Sequence, residues 1–376
     1  MAIRPIAIYL PQFHPVPEND LWWGNGFTEW TNVTKAKPLF KNHYQPHLPA
    51  DLGFYDLRLP EVREAQAQMA NEYGIYGFCY YHYWFNEKRI LERPFQEVLS
   101  SGKPDFPFML CWANENWTRA WDGGDQQILL EQNYSDEDHV KHANFLIAAF
   151  KDFRYIKIDG KAVFAIYRST KIPDIKNALR IWRNECEKQG VQLYITRFES
   201  FQEGGTKFLH DGFDASIQFE PISTTLTGYG QYLRSHLFPK GLSINKVGYK
   251  FANEKYKKKI YDPSRVEYGD FVNYIVNHHN SNANYKKYPC VTPGWDNSPR
   301  KKTNNFILTD STPAKFRDWV NFELNQFKPF SANENLFFIN AWNEWAEGNH
   351  MEPCQKWGKA YLEVFKNELD KMGNGR

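Results

Sequence analysis

Cysteine is scarce in this 376-residue chain: there are five, and no two are spaced C-x-x-C. An odd number, with Cys79, Cys111 and Cys290 inside apolar runs, argues against a disulfide framework and for reduced thiols serving as small hydrophobes. No stretch approaches the ~20 apolar residues of a membrane-spanning helix. The opening Met1–Pro11 has neither a long apolar core nor a small-residue cleavage site, so it reads as a first strand and predicts a cytoplasmic protein. On that reading the sequons at Asn32, Asn116 and Asn133 are accidental. An excess of charge of one sign is missing too: 46 Lys and Arg face 44 Asp and Glu, a net +2, which excludes nucleic acid as a natural partner. The one dense basic run, Lys255 to Lys259, reads as a solvated helix face, with an anionic lipid surface or a phosphate-bearing substrate as the alternative. No G-x-G-x-x-G follows the first strand, and no P-loop or calcium loop is found. His43 and His47 span Pro46, His139 and His142 lie on a polar helix face, and His278 and His279 are adjacent, so none makes a zinc arrangement. No cofactor and no metal are expected.

Aromatic residues are abundant instead, at 17%: 13 Trp, 22 Tyr and 29 Phe. With 42% hydrophobic and 24% charged residues the chain is globular. Eight short apolar runs recur along it: 6–13, 77–84, 106–112, 162–167, 192–198, 215–219, 290–295 and 336–342. They are nearly continuous in hydrophobicity, as parallel strands covered on both faces are. Helical patterns lie between most of them, at 60–73, 135–150, 174–189, 271–279, 314–327 and 356–371. This alternation predicts an α/β fold, a (β/α)8 TIM barrel, as one catalytic domain over 1–376. Loop insertions are expected at about 14–59, 114–134 and 220–270, on the strand-to-helix side where barrels build their active sites.

The strand ends then present a coherent inventory. The first offers Gln12 and His14, with Trp30 in the loop beyond. The second offers Tyr81, His82, Tyr83 and Trp84; the third offers Trp112, Asn114, Glu115, Trp117, Arg119, Trp121 and Asp122. The sixth brings Glu220, the seventh Trp295 and Asp296, and the eighth Asn343, Glu344, Trp345 and Glu347. Aromatic rings mixed with hydrogen-bonding groups suit a polyol, whose C–H faces stack while its hydroxyls demand partners. Two acids among indoles oppose the tendency of burial to disfavour charge, and a pair in unequal environments is what acid/base chemistry on a sugar requires. Duller readings exist for each. Glu347 would cap a helix or pair with a lysine, Glu344 would anchor Asn114 or Tyr83, Glu115 and Asp122 would hold hydroxyls or Arg119, Glu29 beside Trp30 would fold its loop as readily as bind a ligand, and His82 would be a satisfied rim histidine.

The segment Asn343-Glu344-Trp345-x-Glu347-Gly348, followed by Glu352-Pro353, resembles the eighth-strand signature of glycoside hydrolase family 99, the endo-acting α-mannosidases. Tyr80-Tyr81-x-Tyr83-Trp84 and Tyr9-x-Pro11-Gln12-Phe13-His14 are similar as well. The nearer resemblance is to the WbsX-like proteins of bacterial surface-polysaccharide loci, through Gly26-Phe27-Thr28-Glu29-Trp30, Trp112-Ala113-Asn114-Glu115-Asn116-Trp117 and the terminal motif together. It spans essentially the whole chain. It implies that Glu347 is the general acid/base and that Glu344 acts on the substrate's own 2-hydroxyl, through a 1,2-anhydro sugar with net retention. An axial 2-hydroxyl, hence a manno- or rhamno-configured α-linked glycan, is implied with it. The expected partner is an oligosaccharide or polysaccharide, with peripheral contact to a lipid-linked glycan. A glycosyltransferase of O-antigen or capsular synthesis is the alternative, and a carbohydrate-binding barrel without catalysis is the third reading.

Overall fold

The computed structural model describes residues 3–119, 124–200, 203–237, 264–278, 283–301 and 303–374. Trp121, Asp122, His279 and the basic run Lys255 to Lys259 lie outside them. Nine parallel strands form the frame: β1 (Arg4–Tyr9), β2 (Gly77–Phe85), β3 (Phe108–Trp112), β4 (Lys161–Ile166), β5 (Leu193–Glu199), β6 (Ala215–Gln218), β7 (Lys287–Tyr288), β8 (Cys290–Val291) and β9 (Leu336–Ile339). Each of β1 to β6 pairs with the next in sequence, β6 pairs with β7, β8 with β9, and β9 returns to β1. Only Pro289 separates β7 from β8, because proline has no N–H to give the ladder. Its carbonyl still accepts from the Phe338 amide at 2.9 Å. The eight expected runs are thus all strands of one nearly closed barrel, the seventh starting earlier than expected and divided by a proline.

Helices clothe the barrel and rim it: α1 (Pro17–Trp23), α2 (Glu29–Lys35), α3 (Pro60–Glu72), α4 (Arg93–Ser101), α5 (Asp136–Lys151), α6 (Ile175–Lys188), α7 (Thr206–Leu209), α8 (Thr224–Leu237), α9 (Tyr268–His278), α10 (Pro313–Gln326) and α11 (Ala360–Asn374). Their starts are chemically marked. Ser135 Oγ accepts from the Asp138 amide at 3.1 Å, Asp174 Oδ1 from Asn177 at 3.1 Å, and Thr312 Oγ1 from Lys315 at 3.3 Å. Pro60 and Pro313 open α3 and α10, where no intrahelical N–H is needed. The last helix begins at Ala360, not 356, because Cys354 bridges Pro49 and Gly358 and the residues between 354 and 358 form a turn. The first strand-to-helix connection contains two helices the apolar pattern did not announce. Both α1 and α2 span seven residues, too few for a 3.6-residue period to declare itself.

Period-two alternation divides the aromatic residues between two layers. Inside the barrel, Phe338 meets Phe198 and Tyr288 at ring separations of 6.3 and 6.4 Å. Outside it, the neighbouring Phe337 packs on Phe365 of α11. The same alternation splits the Tyr-Tyr-His-Tyr-Trp stretch of β2. His82 and Trp84 turn outward to α5: His82 and His142 share an Nε2–Nε2 hydrogen bond of 2.9 Å, and the Trp84 indole donates to Asp138. Trp112 follows them, stacking on Trp182 of α6 at 5.5 Å. This corrects the expectation for His82, Trp84 and Trp112, which pack between barrel and helices and not in the cleft.

That outer layer has a pH consequence. Burial pushes His82 down to about 3 and His142 well below its usual value, so both are neutral in the folded protein. A histidine depressed in this way contributes its stability fully above the unfolded value near 6.5, and loses it as pH falls towards the folded value. Unfolding free energy is expected to drop between pH 6.5 and 4, by about 2 kcal/mol per histidine at pH 5. Urea unfolding across that range measures it. The double change His82→Phe, His142→Leu is expected to flatten the slope; an unchanged slope would place the titrating groups elsewhere.

Candidate active site

Beyond β9 the chain forms a small hairpin. Asn343 and Glu344 pair antiparallel with His350 and Asn349, and Trp345–Glu347 make one 3-10 turn between them. Gly348 closes the turn at φ 57°, and a Cβ there would sit 3.0 Å from the Asp296 Cβ, so a side chain would be strained in conformation and crowded by Asp296. The hairpin is pinned on three sides. Asn343 exchanges hydrogen bonds with the Leu10 backbone, accepting from its N–H at 2.7 Å and donating to its carbonyl at 3.0 Å. Trp345 lies on His350 at 3.8 Å and 13°, and packs against Trp30 at 5.5 Å. Its indole donates to Glu352 at 2.6 Å, and Glu352 also accepts from Tyr55 at 2.8 Å and Gln66 at 2.6 Å. Burial lifts the Glu352 carboxyl to about 7, with those three donors pulling it back.

The two acids of the hairpin converge on one cation. Arg300 places Nη2 2.7 Å from Glu344 Oε2 and Nη1 2.8 Å from Glu347 Oε1. Its Nε lies 2.7 Å from Oε1 of a third carboxylate, Glu29 at the start of α2. Arg300 is brought there by a turn on Asn297, whose carbonyl accepts from the Arg300 amide at 3.1 Å and whose side chain accepts from Phe306 at 2.8 Å. Among the described residues, three acids surround this one guanidinium, a surplus of negative charge. Two carboxylates on neighbouring edges of such a group, ~5 Å apart, repel by about 3 kcal/mol at an effective dielectric near 20. Desolvation is the largest influence on both hairpin acids, Arg300 opposes it, and the neighbouring carboxylates reinforce it. The pair therefore holds a proton well above the ordinary carboxylate range. Glu344 is 7% exposed and Glu347 19%, so Glu347 is the one that reaches towards solvent.

Tyr81 and Tyr83 face this pair, and the Glu344 charge adds to burial in pushing both phenols up. Trp117 sets its ring edge-on to Tyr83 at 5.4 Å and meets Trp22 of α1 at 5.6 Å, making a half-exposed aromatic wall. Arg119 lies over Trp23 at 5.7 Å. Opposite, Tyr167 feels the charges of both Glu115 and Glu347, and Glu115 is paired with Arg168 at 2.6 Å. Electrostatic interactions and ring contacts thus join Glu344, Glu347, Tyr81, Tyr83, Trp117 and Glu115 in one neighbourhood, while Arg119 lies over Trp23, next in sequence to Trp22.

Other candidates stand elsewhere. The amide of Asn114 is taken up by Tyr134 and the Arg168 backbone, joining the ends of β3 and β4. Asn343, Trp345 and Trp30 are buried pins of the hairpin, so their faces are closed to a ligand. Glu220 turns to the helix layer: it accepts from Gln218, Ser223 and Thr225, and its charge acts on Tyr268 and Glu323. Asp296 is held by His43 and Gln45, each at 2.6 Å, on the far side of Gly348, and Trp295 is buried beside it. Gln12 lends its backbone carbonyl to the Glu29 amide at 3.1 Å. His14 is buried and neutral, pushed down to about 4 by desolvation, in the field of Asp56 and Arg58. Among the described residues, no group of three or more His, Cys, Asp or Glu is arranged to hold a metal, and no helix is long and apolar enough to cross a membrane.

Arg300, Trp22 and Tyr167 were not singled out from sequence. Arg300 had one available signal, a basic residue soon after the seventh apolar run, where a surplus of rim acids needs a counter-ion. Glu29, evenly balanced between loop folding and binding, proves to be wholly buried and tied to both hairpin acids through Arg300.

With this geometry in hand, comparison with known proteins is informative. The sequence model of a family described as Glycosyltransferase WbsX matches residues 5–365. Two proteins of Xanthomonas campestris pv. campestris, both described as uncharacterized protein WxcX, are 35% identical over 366 and 367 residues. These alignments cover 97% of this chain and 49% of each relative, so the chain spans about half the length of the curated relatives it matches. Among solved structures, a GH99 endo-alpha-mannosidase from Bacteroides thetaiotaomicron superposes with a TM-score of 0.57 at 14% identity, covering 99% of this chain and 98% of that one. A glycoside hydrolase-like protein gives 0.57 at 15%, covering 98% and 94%. At such identities the likeness is one of fold, and it agrees with the TIM barrel described above.

The support beneath the acids is testable on its own. Glu352→Ala is expected to destabilise the fold by about 3 kcal/mol, since three buried donors lose their acceptor, and Tyr55→Phe by about 1 kcal/mol. Urea denaturation distinguishes these. A loss under 1 kcal/mol for Glu352→Ala would show that the hairpin is held by packing alone.

Proposed function

This chain belongs to the WbsX glycosyltransferase family, and from that membership we propose that it cleaves an α-linked, manno- or rhamno-configured bacterial oligosaccharide or polysaccharide with net retention. The observation that carries the proposal is the convergence of Glu344 and Glu347 on Arg300, beside Tyr81, Tyr83 and Trp117. A buried charge cluster is a poor device for stability, since well-packed apolar residues commonly do as well or better. A carboxyl pair that keeps one proton at neutral pH is a good device for protonating a leaving oxygen.

In this reading Glu347 gives its proton to the glycosidic oxygen as the bond to the anomeric carbon breaks. Glu344, ionised, takes the proton of the 2-hydroxyl, and O2 closes on the anomeric carbon from the opposite face, forming a 1,2-anhydro sugar. Glu347, now a carboxylate, deprotonates a water that opens the ring, and Glu344 returns its proton to O2. Two inversions give retention. Both acids projecting from one short hairpin onto one guanidinium fit this route better than a direct carboxylate nucleophile, which needs its partner on the opposite face of the sugar. The pair acts as a unit in sharing its proton. The half-exposed Tyr83 and Trp117 supply faces for a sugar's C–H surface. The structurally similar Bacteroides protein is an endo-alpha-mannosidase, which supports the manno configuration and cleavage inside a chain.

The family's description as a glycosyltransferase favours a second reading, transfer to an acceptor hydroxyl in place of water, in surface-polysaccharide assembly in the cytoplasm and with a lipid-linked glycan at the cleft. The chemistry up to the anhydro sugar is then the same. A nucleoside diphosphate is a poor fit as leaving group, because its own negative charges would face three carboxylates sharing one guanidinium.

Glu344→Gln and Glu347→Gln are each expected to lower turnover of α-mannoside or α-rhamnoside polymers by about 10²–10⁴-fold, measured as released reducing ends, while polymer binding by calorimetry stays within a few-fold. Full activity in both variants removes the mechanism. Tight binding of a nucleoside-diphosphate sugar, measured the same way, would favour the transferase reading.

A further inference from the structure

The mechanism uses two of the three carboxylates on Arg300 and leaves the third without a task. Glu29 is wholly buried. One oxygen receives Arg300 Nε at 2.7 Å, and the other has no hydrogen-bond donor against it among the described residues. A carboxylate half-satisfied in the interior opposes folding. Its placement is nevertheless elaborate: the Glu29 amide bonds to the Gln12 carbonyl, Thr28 and Thr31 cap the helix reciprocally, and the adjacent Trp30 packs on Trp345, two residues before Glu347. Gln12 ends the first strand's loop entry and Trp345 belongs to the acid hairpin, so Glu29 is fixed relative to both.

We propose that Glu29 is a positioning residue for the reaction: by holding Arg300 Nε it orients the guanidinium between Glu344 and Glu347, and by its own charge it keeps that one cation from neutralising both. The inference rests on the acid/base reading of Glu344 and Glu347. With Glu29 present, one guanidinium is shared by three anions, and the hairpin pair cannot shed its last proton cheaply. Without the Glu29 charge, Arg300 serves two anions, the pair holds its proton less tightly, and less of it remains for the leaving oxygen. The other groups facing the pair leave this logic intact. Tyr81 and the partly buried Tyr83 from β2, and the partly buried Tyr167 beyond β4, have phenols pushed upward in their own titration, hence neutral. Lys301, beside Arg300, acts on Glu347 in the opposite sense to Glu29 and is unaffected by the change.

The test is Glu29→Gln, which keeps an oxygen for Arg300 Nε and removes the charge, with Glu29→Asp as the charge-retaining control. In protein labelled with 13C at glutamate carboxyls, the resonances that vanish in Glu344→Gln and Glu347→Gln identify the pair without any substrate. Their titration midpoint is expected to fall by about one pH unit in Glu29→Gln and to stay near the wild-type value in Glu29→Asp. Where a glycan is cleaved, the alkaline limb of kcat should move down by the same interval, with KM changed less than two-fold. A midpoint unmoved in Glu29→Gln, in protein whose circular dichroism matches wild type, overturns the proposal while leaving the two acids their roles. A midpoint that falls as expected, together with full turnover in Glu344→Gln and Glu347→Gln, sustains the electrostatic coupling and removes the catalytic reading instead.

Discussion

One guanidinium organises the mouth of this barrel. Arg300 reaches acids from two separate strand-to-helix connections, Glu29 after β1 and the Glu344–Glu347 pair after β9, while itself arriving from a third, after β8. Remove that cation and three carboxylates would crowd a site with little water to screen them. Keep it, and the surplus of charge becomes a reservoir for a proton. Structure and chemistry meet in this imbalance, because a neutral cluster would be easier to bury and less useful.

The hairpin that presents the pair is held from below by neutral and charged hydrogen bonds that the reaction would never touch. Asn343 ties it to the Leu10 backbone, Trp345 is gripped between His350 and Trp30, and Glu352 gathers Tyr55, Gln66 and the Trp345 indole. Such locking removes rotamer freedom from Glu344 and Glu347 before any ligand arrives, which is what placing a proton within a few tenths of an ångström requires. Residues that looked like sugar platforms in the motif are therefore its foundations. The exposed faces are contributed instead by Trp117, Tyr83 and the unannounced Trp22.

Much of the fold was legible because parallel strands buried on both faces write themselves as short unbroken apolar runs, and each of the eight runs became a barrel strand. Helix boundaries were legible where a cap or a proline marked them, as at Ser135, Asp174 and Pro60. The two seven-residue helices of the first connection were not, since a segment of two turns shows too little period. In the candidate site, Glu344 and Glu347 could be read from their indole neighbours. The orientation of His82, Trp84 and Trp112 could not be, because a run that is apolar on both faces conceals which side is inside.

By itself, the order of residues determined the alternation of strand and helix, the barrel it implies, and the hairpin motif bearing two acids among tryptophans; local patterning and short-range spacing suffice for these. Tertiary structure alone decided which acids share a cation, since Glu29, Arg300 and Glu344 stand 271 and 44 residues apart along the chain. It decided likewise which aromatic rings face the cleft and which face a helix. Both are matters of closure: only when the ninth strand returns to the first do distant loops come to share one rim, and only then do buried charges find the partners that set their protonation.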